Sequence, residues 1–210
     1  MKKLIFIVCL LMTTKGITHP TSFEGSKGIM GYHSPVMNHG QINYSYRYWF
    51  AVGAHHFNIP TNGQNRFANF LSTNFLLKRW NGPSYQGNLY AVLGLGHSQF
   101  SKESLGAGLS KIQFDIEDRD YYFLTSYSRI DTEEQRHFQD MMARIGLSPY
   151  VGKFDDIHTW LILEYRAQEV LDEGIFEDLT PFLRIFYKNL LFEIGQSFKG
   201  NTRFNYIIHF

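Results

Sequence analysis

The chain has 210 residues, a formal net charge of +1 and 19% charged residues, enough for one substantial domain and too little positive charge for a nucleic-acid surface. Its one cysteine, Cys9, lies near the N-terminus, so a chain that loses that end has no thiol and forms no disulfide in an oxidising compartment. After residue 19 no window approaches the roughly 20 consecutive apolar residues of a membrane-spanning helix, which excludes a helical membrane protein.

The N-terminus reads as an export signal. Lys2 and Lys3 precede an apolar run from Leu4 to Met12, too short to span a bilayer but suited to the hydrophobic region of a signal peptide. Thr18, with Gly16 two positions before it, suits a signal peptidase and would make His19 the first mature residue; Gly16, with Thr14, is a competing site. Val8 stands before Cys9 where a lipoprotein signal has a small residue. The expected organisation is a signal peptide over 1–18, a mature leader over 19–26 and one folded body over 27–210.

From residue 27 onward apolar residues recur with a period of two, as in strands with two unlike faces. In chain order, strands are expected over Lys27–His33, Gln41–Tyr48, Phe50–Ile59, Arg66–Lys78, Tyr85–Gln99, Gly106–Glu117, Tyr121–Ile130, His137–Val151, Ile157–Glu169, Asp178–Lys188, Leu190–Lys199 and Thr202–Phe210. The alternation is plainest in "SKIQFDIE", where Ile112, Phe114 and Ile116 oppose Lys111, Gln113, Asp115 and Glu117. It recurs in "TWLILEYRAQ", with Leu161, Leu163, Tyr165 and Ala167 against Glu164, Arg166 and Gln168, and in "TPFLRIFYK", with Leu183, Ile185 and Tyr187 against Arg184 and Lys188. Tight turns at Tyr48–Trp49, Asp118–Asp120 and Lys188–Asn189 would share one rim, and the longer polar stretches "SPVMNHG", "TNGQN", "SKESL", "DTEEQR" and "LDEGIFE" the other. The 19 Phe and 13 Tyr, many near strand ends, fit aromatic girdles, although a soluble sandwich would use them in its core.

The last segment, "TRFNYIIHF", places Phe204, Tyr206, Ile208 and Phe210 on one face and Asn205 and His209 on the other. On these residues the chain resembles the bacterial outer-membrane β-barrel family, whose final strand ends in a C-terminal Phe preceded by apolar residues at alternating positions. The resemblance implies an all-β protein in the outer membrane, in contact with outer-membrane lipid and recognised through its last strand by the barrel-assembly machinery. The fold expected is a closed, antiparallel, up-and-down transmembrane β-barrel of about 12 strands, because a bilayer offers unpaired backbone amides no water.

With apolar faces turned outward, the inward faces collect Arg47, Lys111, Asp115, Glu117, Asp140, Arg144, Glu164, Arg166, Arg184 and Glu193, with Lys78 and Lys188 beside them. Both signs are present. Such groups either pair across the barrel as a structural network or line a narrow solute path without strong ion selectivity.

Met30, His33, Met37 and His39 fall on the first strand and first outer turn, with His55 and His56 toward the outer end of the third strand. Converging there, they would bind a transition metal. Imidazole suits copper and zinc, and thioethers favour Cu(I), so a copper site for uptake, sequestration or sensing is expected. His19 would add a second copper-binding possibility, as an N-terminal residue chelating through amine and ring, a ligand motif similar to the histidine brace. It belongs to the opposite rim unless the leader threads the lumen. The alternatives are a passive small-solute channel or a structural barrel without metal. An outer-membrane lipid hydrolase is a further reading, for which His33, Ser34 and Asn38 depart from the His-x-Ser-Asn-Gly pattern of the phospholipase family.

Overall fold

The computed structural model describes residues 21–61, 64–100, 104–133, 137–150, 152, 156–170 and 173–210; the expected signal and His19 lie outside the described residues. Twelve strands form: β1 (Lys27–His33), β2 (Asn38–Arg47), β3 (Phe50–Thr61), β4 (Gln64–Asn81), β5 (Gln86–Ser98), β6 (Leu105–Glu117), β7 (Tyr121–Thr132), β8 (His137–Leu147), β9 (His158–Val170), β10 (Ile175–Tyr187), β11 (Leu190–Gln196) and β12 (Thr202–His209). Each pairs antiparallel with its sequence neighbours, and β12 pairs with β1, so the sheet closes and no edge is left open.

The closing seam joins Gly28–His33 to Phe204–His209, and Phe210 extends it by donating to the Lys27 carbonyl at 2.8 Å and accepting from the Lys27 amide at 3.1 Å. Gly31 stands opposite Tyr206 there. A Cβ at Gly31 would fall 2.3 Å from the Tyr206 ring, so glycine is what lets the ring lie across the seam.

The strands start and stop somewhat differently from the expected ranges. β2 begins at Asn38, three residues early, because Ser34 closes a tight turn with Met37: its hydroxyl donates to the Met37 carbonyl and accepts from the Met37 amide. That puts His39 in the sheet. β10 begins at Ile175, where the chain pairs with Glu169 despite its polar surroundings. β8 and β11 end earlier than expected, at Leu147 and Gln196.

Side chains alternate as the period of two dictates, but the sense is that of a barrel in lipid. Leu71 and Leu95 are 75% and 80% exposed on the outer face, accompanied by Leu77, Leu93, Ile112, Ile145 and Ile194. Leaving one such leucine in water would forfeit about 2 kcal/mol, and a continuous belt of them is not the surface of a soluble protein. Near the terminal rim, where Thr21 and Phe210 lie, Tyr46, Tyr48, Trp49, Trp80, Tyr85, Tyr121 and Tyr187 are exposed as an aromatic girdle.

The inside is mostly polar, with an apolar cap at the opposite, outer end. Phe57, Ile59, Phe70, Phe100, Ile130, Phe138 and Val170 pack there against one another. Residues 21–26 of the expected leader fold against the other end. The Ser22 amide donates to Ser45 Oγ at 3.0 Å, the Gly25 amide to the Ser45 carbonyl at 2.7 Å, and Glu24 pairs with Arg47. This described part of the leader stays at the terminal rim and does not thread the lumen.

Candidate functional site: the barrel lumen

Alternation places Lys111, Asp115, Glu117, Asp140, Arg144, Glu164, Arg166, Arg184 and Glu193 at inward positions, and the lumen divides into two unlike walls. Arg47 leaves the set. A bulge between Ser45 and Arg47 ends the alternation, and Arg47 is exposed at the terminal rim, 2.7 Å from Glu24. A second bulge between Leu76 and Lys78 turns Lys78 outward and brings Arg79 in, where its Nε donates to Asn88 Oδ1 at 2.7 Å. Lys188 lies in the β10–β11 turn with φ at 54°.

The wall from β8 to β12 is ionic. Arg166 grips Asp140 through two hydrogen bonds of 2.6 and 2.8 Å. Arg144 donates to Glu164 at 2.6 Å and, through both terminal nitrogens, to Glu193 at 3.1 and 3.0 Å. Arg184 donates to Glu193 at 2.6 Å and lies over the Tyr122 ring at 4.5 Å. Arg203 reaches Glu164 at 2.8 Å and Asp178 at 3.4 Å. Four guanidiniums thus face four carboxylates, all buried. Arg203 and Asp178 were not singled out in the sequence, although the alternation of β12 and β10 carries both.

The wall from β2 to β6 is largely neutral. Asn74 Nδ2 donates to Asn43 Oδ1 at 2.9 Å, which leaves Asn74 Oδ1 to accept the Ser72 hydroxyl at 3.0 Å. Ser72 Oγ then accepts from His55 Nε2 at 2.8 Å, and His55 Nδ1, left unprotonated, accepts from His39 Nε2 at 3.0 Å. The network therefore assigns both imidazoles the same tautomer, with the proton on Nε2. Gly53 makes room for this chain: a Cβ there would fall 2.3 Å from Asn43 Oδ1. Farther along, Asn88 Nδ2 donates to Asp115 at 2.8 Å and Gln113 to the same carboxylate at 3.4 Å. The His39 ring is stacked between Phe57, 3.9 Å away, and Tyr32, 5.6 Å away.

Between the walls lies a cavity of about 80 Å³, lined by Met30, Met37, His39, His55, Lys111 and Arg144 among others. It has room for a few waters and no larger solute.

The expected histidine and methionine cluster is divided. Met30, Met37, His39 and His55 line the cavity. His33 faces outward, bonded to Asn38 at 3.0 Å and stacked on Phe204 and Tyr206, and His56 faces outward beside Asn69. Adjacent residues of a strand point to opposite faces, so His55 and His56 cannot share an ion. Among the described residues no three His, Cys, Asp or Glu side chains converge as a metal cage. Ser34 bonds its own turn, while His33 bonds Asn38.

No known protein-family pattern matches the chain, and no curated protein matches it in sequence. Solved structures do. A KdgM porin is 13% identical, covering 88% of this chain and 98% of its own, with a TM-score of 0.50. A KdgM porin in complex with disordered oligogalacturonate is 12% identical over 88% and 98%, with a TM-score of 0.47. OccAB4 of Acinetobacter baumannii is 8% identical over 87% and 56%, with a TM-score of 0.42. At these identities the likeness is one of fold. The closed sheet and its lipid-facing belt are those of a β-barrel that crosses a membrane, the fold that the KdgM porin shares.

Proposed function

We propose that the chain is a porin-like barrel that admits small polar solutes, in a closed state whose lumen narrows to the cavity of about 80 Å³ between its two walls. One observation carries this reading: the buried ladder Asp140–Arg166, Glu164–Arg144–Glu193–Arg184 and Arg203–Asp178. Stability alone does not account for it, since well-packed apolar residues replace buried ion pairs at no cost or with a gain. A path that water enters does account for it. The balance of signs favours neutral or zwitterionic solutes over ions of one charge. Conductance in a planar bilayer tests the reading. Wild type is expected to show small, brief openings, and Glu193→Gln, which weakens the hold on Arg144 and Arg184, longer ones; two silent membranes would remove it.

A second reading keeps copper inside the barrel, favoured by two thioethers and two imidazoles lining one cavity. Titration with Cu(I) decides it. Binding should be lost in His39→Ala/His55→Ala and kept in His33→Ala/His56→Ala, and a wild-type barrel that takes up no copper ends this reading. Export by removal of residues 1–18 and recognition of β12 by the barrel-assembly machinery complete the proposal. Mass spectrometry of the mature chain and the membrane yield of a Phe210 deletion test them.

A further inference from the structure

One cation of the lumen stands outside the ionic ladder. Lys111 points inward from the middle of β6 and lines the cavity between the walls. Opposite it in the sheet are Val92 on β5 and Ser128 on β7, and neither carries a charge to pair with it. The next residue in the same row is Asp140 on β8, opposite Ser128, and Arg166 takes both of its oxygens at 2.6 and 2.8 Å. Asp115, two residues along β6, is held by Asn88 and Gln113 and lies outside the cavity lining. Among the described residues none hydrogen-bonds or ion-pairs with the Lys111 amine.

The charges around the cavity therefore do not cancel. Lys111, Arg144, Arg166 and Arg184 line it against Asp140, Glu164 and Glu193, four cations to three carboxylates. The remaining members of the ladder, Arg203 and Asp178, offset each other, so the unbalanced charge is that of Lys111. A lysine amine is protonated at neutral pH, and an ammonium in a narrow polar cavity is stabilised by an anion beside it. Two hydroxyls stand ready for the same ion. Ser128 is opposite Lys111 and Ser126 is opposite Gln113; both line the cavity, and no described residue engages either hydroxyl. Side chains directly opposed on neighbouring strands stand about 5 Å apart at Cβ, and diagonal ones about 7–8 Å, within reach of a lysine. The cavity of about 80 Å³ holds one small ion with its water and excludes a larger one.

We propose that Lys111, Ser126 and Ser128 form a binding site for a small monovalent anion, a halide or a carboxylate of formate size, and that this site sets which sign of ion the lumen prefers. The inference rests on the reading of the lumen as a solute path and refines it. The ladder cancels itself, which removes strong selectivity, and the preference that is left belongs to Lys111.

Two measurements on the full barrel test the site, with heat-dependent gel migration showing that each variant is folded. In detergent, chloride-35 NMR reads anion binding whether or not the barrel conducts. Wild type should broaden the chloride line and formate should reverse the broadening; Lys111→Gln should lose most of it and Lys111→Arg should keep it. In a planar bilayer under a KCl gradient, the reversal potential should favour chloride over potassium about threefold in wild type and not at all in Lys111→Gln. Lys78→Gln, which removes a lysine from the outer face, should match wild type in both measurements. Broadening by Lys111→Gln equal to that of wild type would overturn the site, as would an unchanged reversal potential in a conducting Lys111→Gln barrel. Silent membranes, with broadening lost in Lys111→Gln, would remove the porin reading and support the anion site.

Discussion

The two walls of the lumen are both hydrogen-bonded and both polar, yet they are built differently. Bonds of the neutral wall lie along the sheet: His39 to His55 and His55 to Ser72 join adjacent strands, and Asn43 to Asn74 steps over β3 at Gly53. The ionic wall has bonds between adjacent strands as well, Arg166 to Asp140, Arg144 to Glu164 and Arg184 to Glu193, but it adds bonds that cut across the interior, from Arg144 on β8 to Glu193 on β11 and from Arg203 on β12 to Glu164 on β9. A bond along the sheet decorates the wall, whereas a chord between strands that are not neighbours narrows the opening. The contrast assigns closure of the lumen to the ionic side.

The largest effect should come from cutting a chord. Arg144→Ala leaves Glu164 and Glu193 buried with a partner removed, and should cost about 3–5 kcal/mol in urea unfolding from lipid vesicles while raising conductance. A loss no larger than that of a neutral-wall variant would erase the distinction between the walls. Next comes Gly53→Ala, whose methyl collides with Asn43 Oδ1; the same unfolding measurement should register about 1–3 kcal/mol, with conductance unchanged. Ser72→Ala removes one acceptor and one donor from the neutral chain and should cost about 1 kcal/mol, again with no change in current. Smallest is Arg47→Ala at the terminal rim. Its exposed pair with Glu24 should contribute nothing measurable to stability or conductance, and a clear change in either would return Arg47 to the functional lumen.

Much of this was legible in the primary structure because a barrel in lipid obeys a rule with a period of two. Lys111, Asp115, Glu164 and Arg166 occupy inward positions since their neighbours Ile112, Phe114, Leu163 and Tyr165 must face the bilayer. The same rule fails at Arg47 and Lys78. A β-bulge adds one residue, reverses the faces beyond it and leaves no mark in the pattern of apolar residues. The histidines show a different limit. His33, His39, His55 and His56 are close in the chain and in space, but two face the lumen and two face outward, and proximity alone suggested a single cluster.

The sequence by itself determined the closed antiparallel barrel, its number of strands and the faces of most of them, because pairing every edge and turning apolar residues to lipid leave few alternatives. Only the tertiary structure decided which lumen groups meet. Which arginine reaches which carboxylate across three strands, and how His39, His55 and Ser72 align into one directed chain, depend on the stagger and curvature of the closed sheet. Those are properties of all twelve strands together, and no local stretch encodes them.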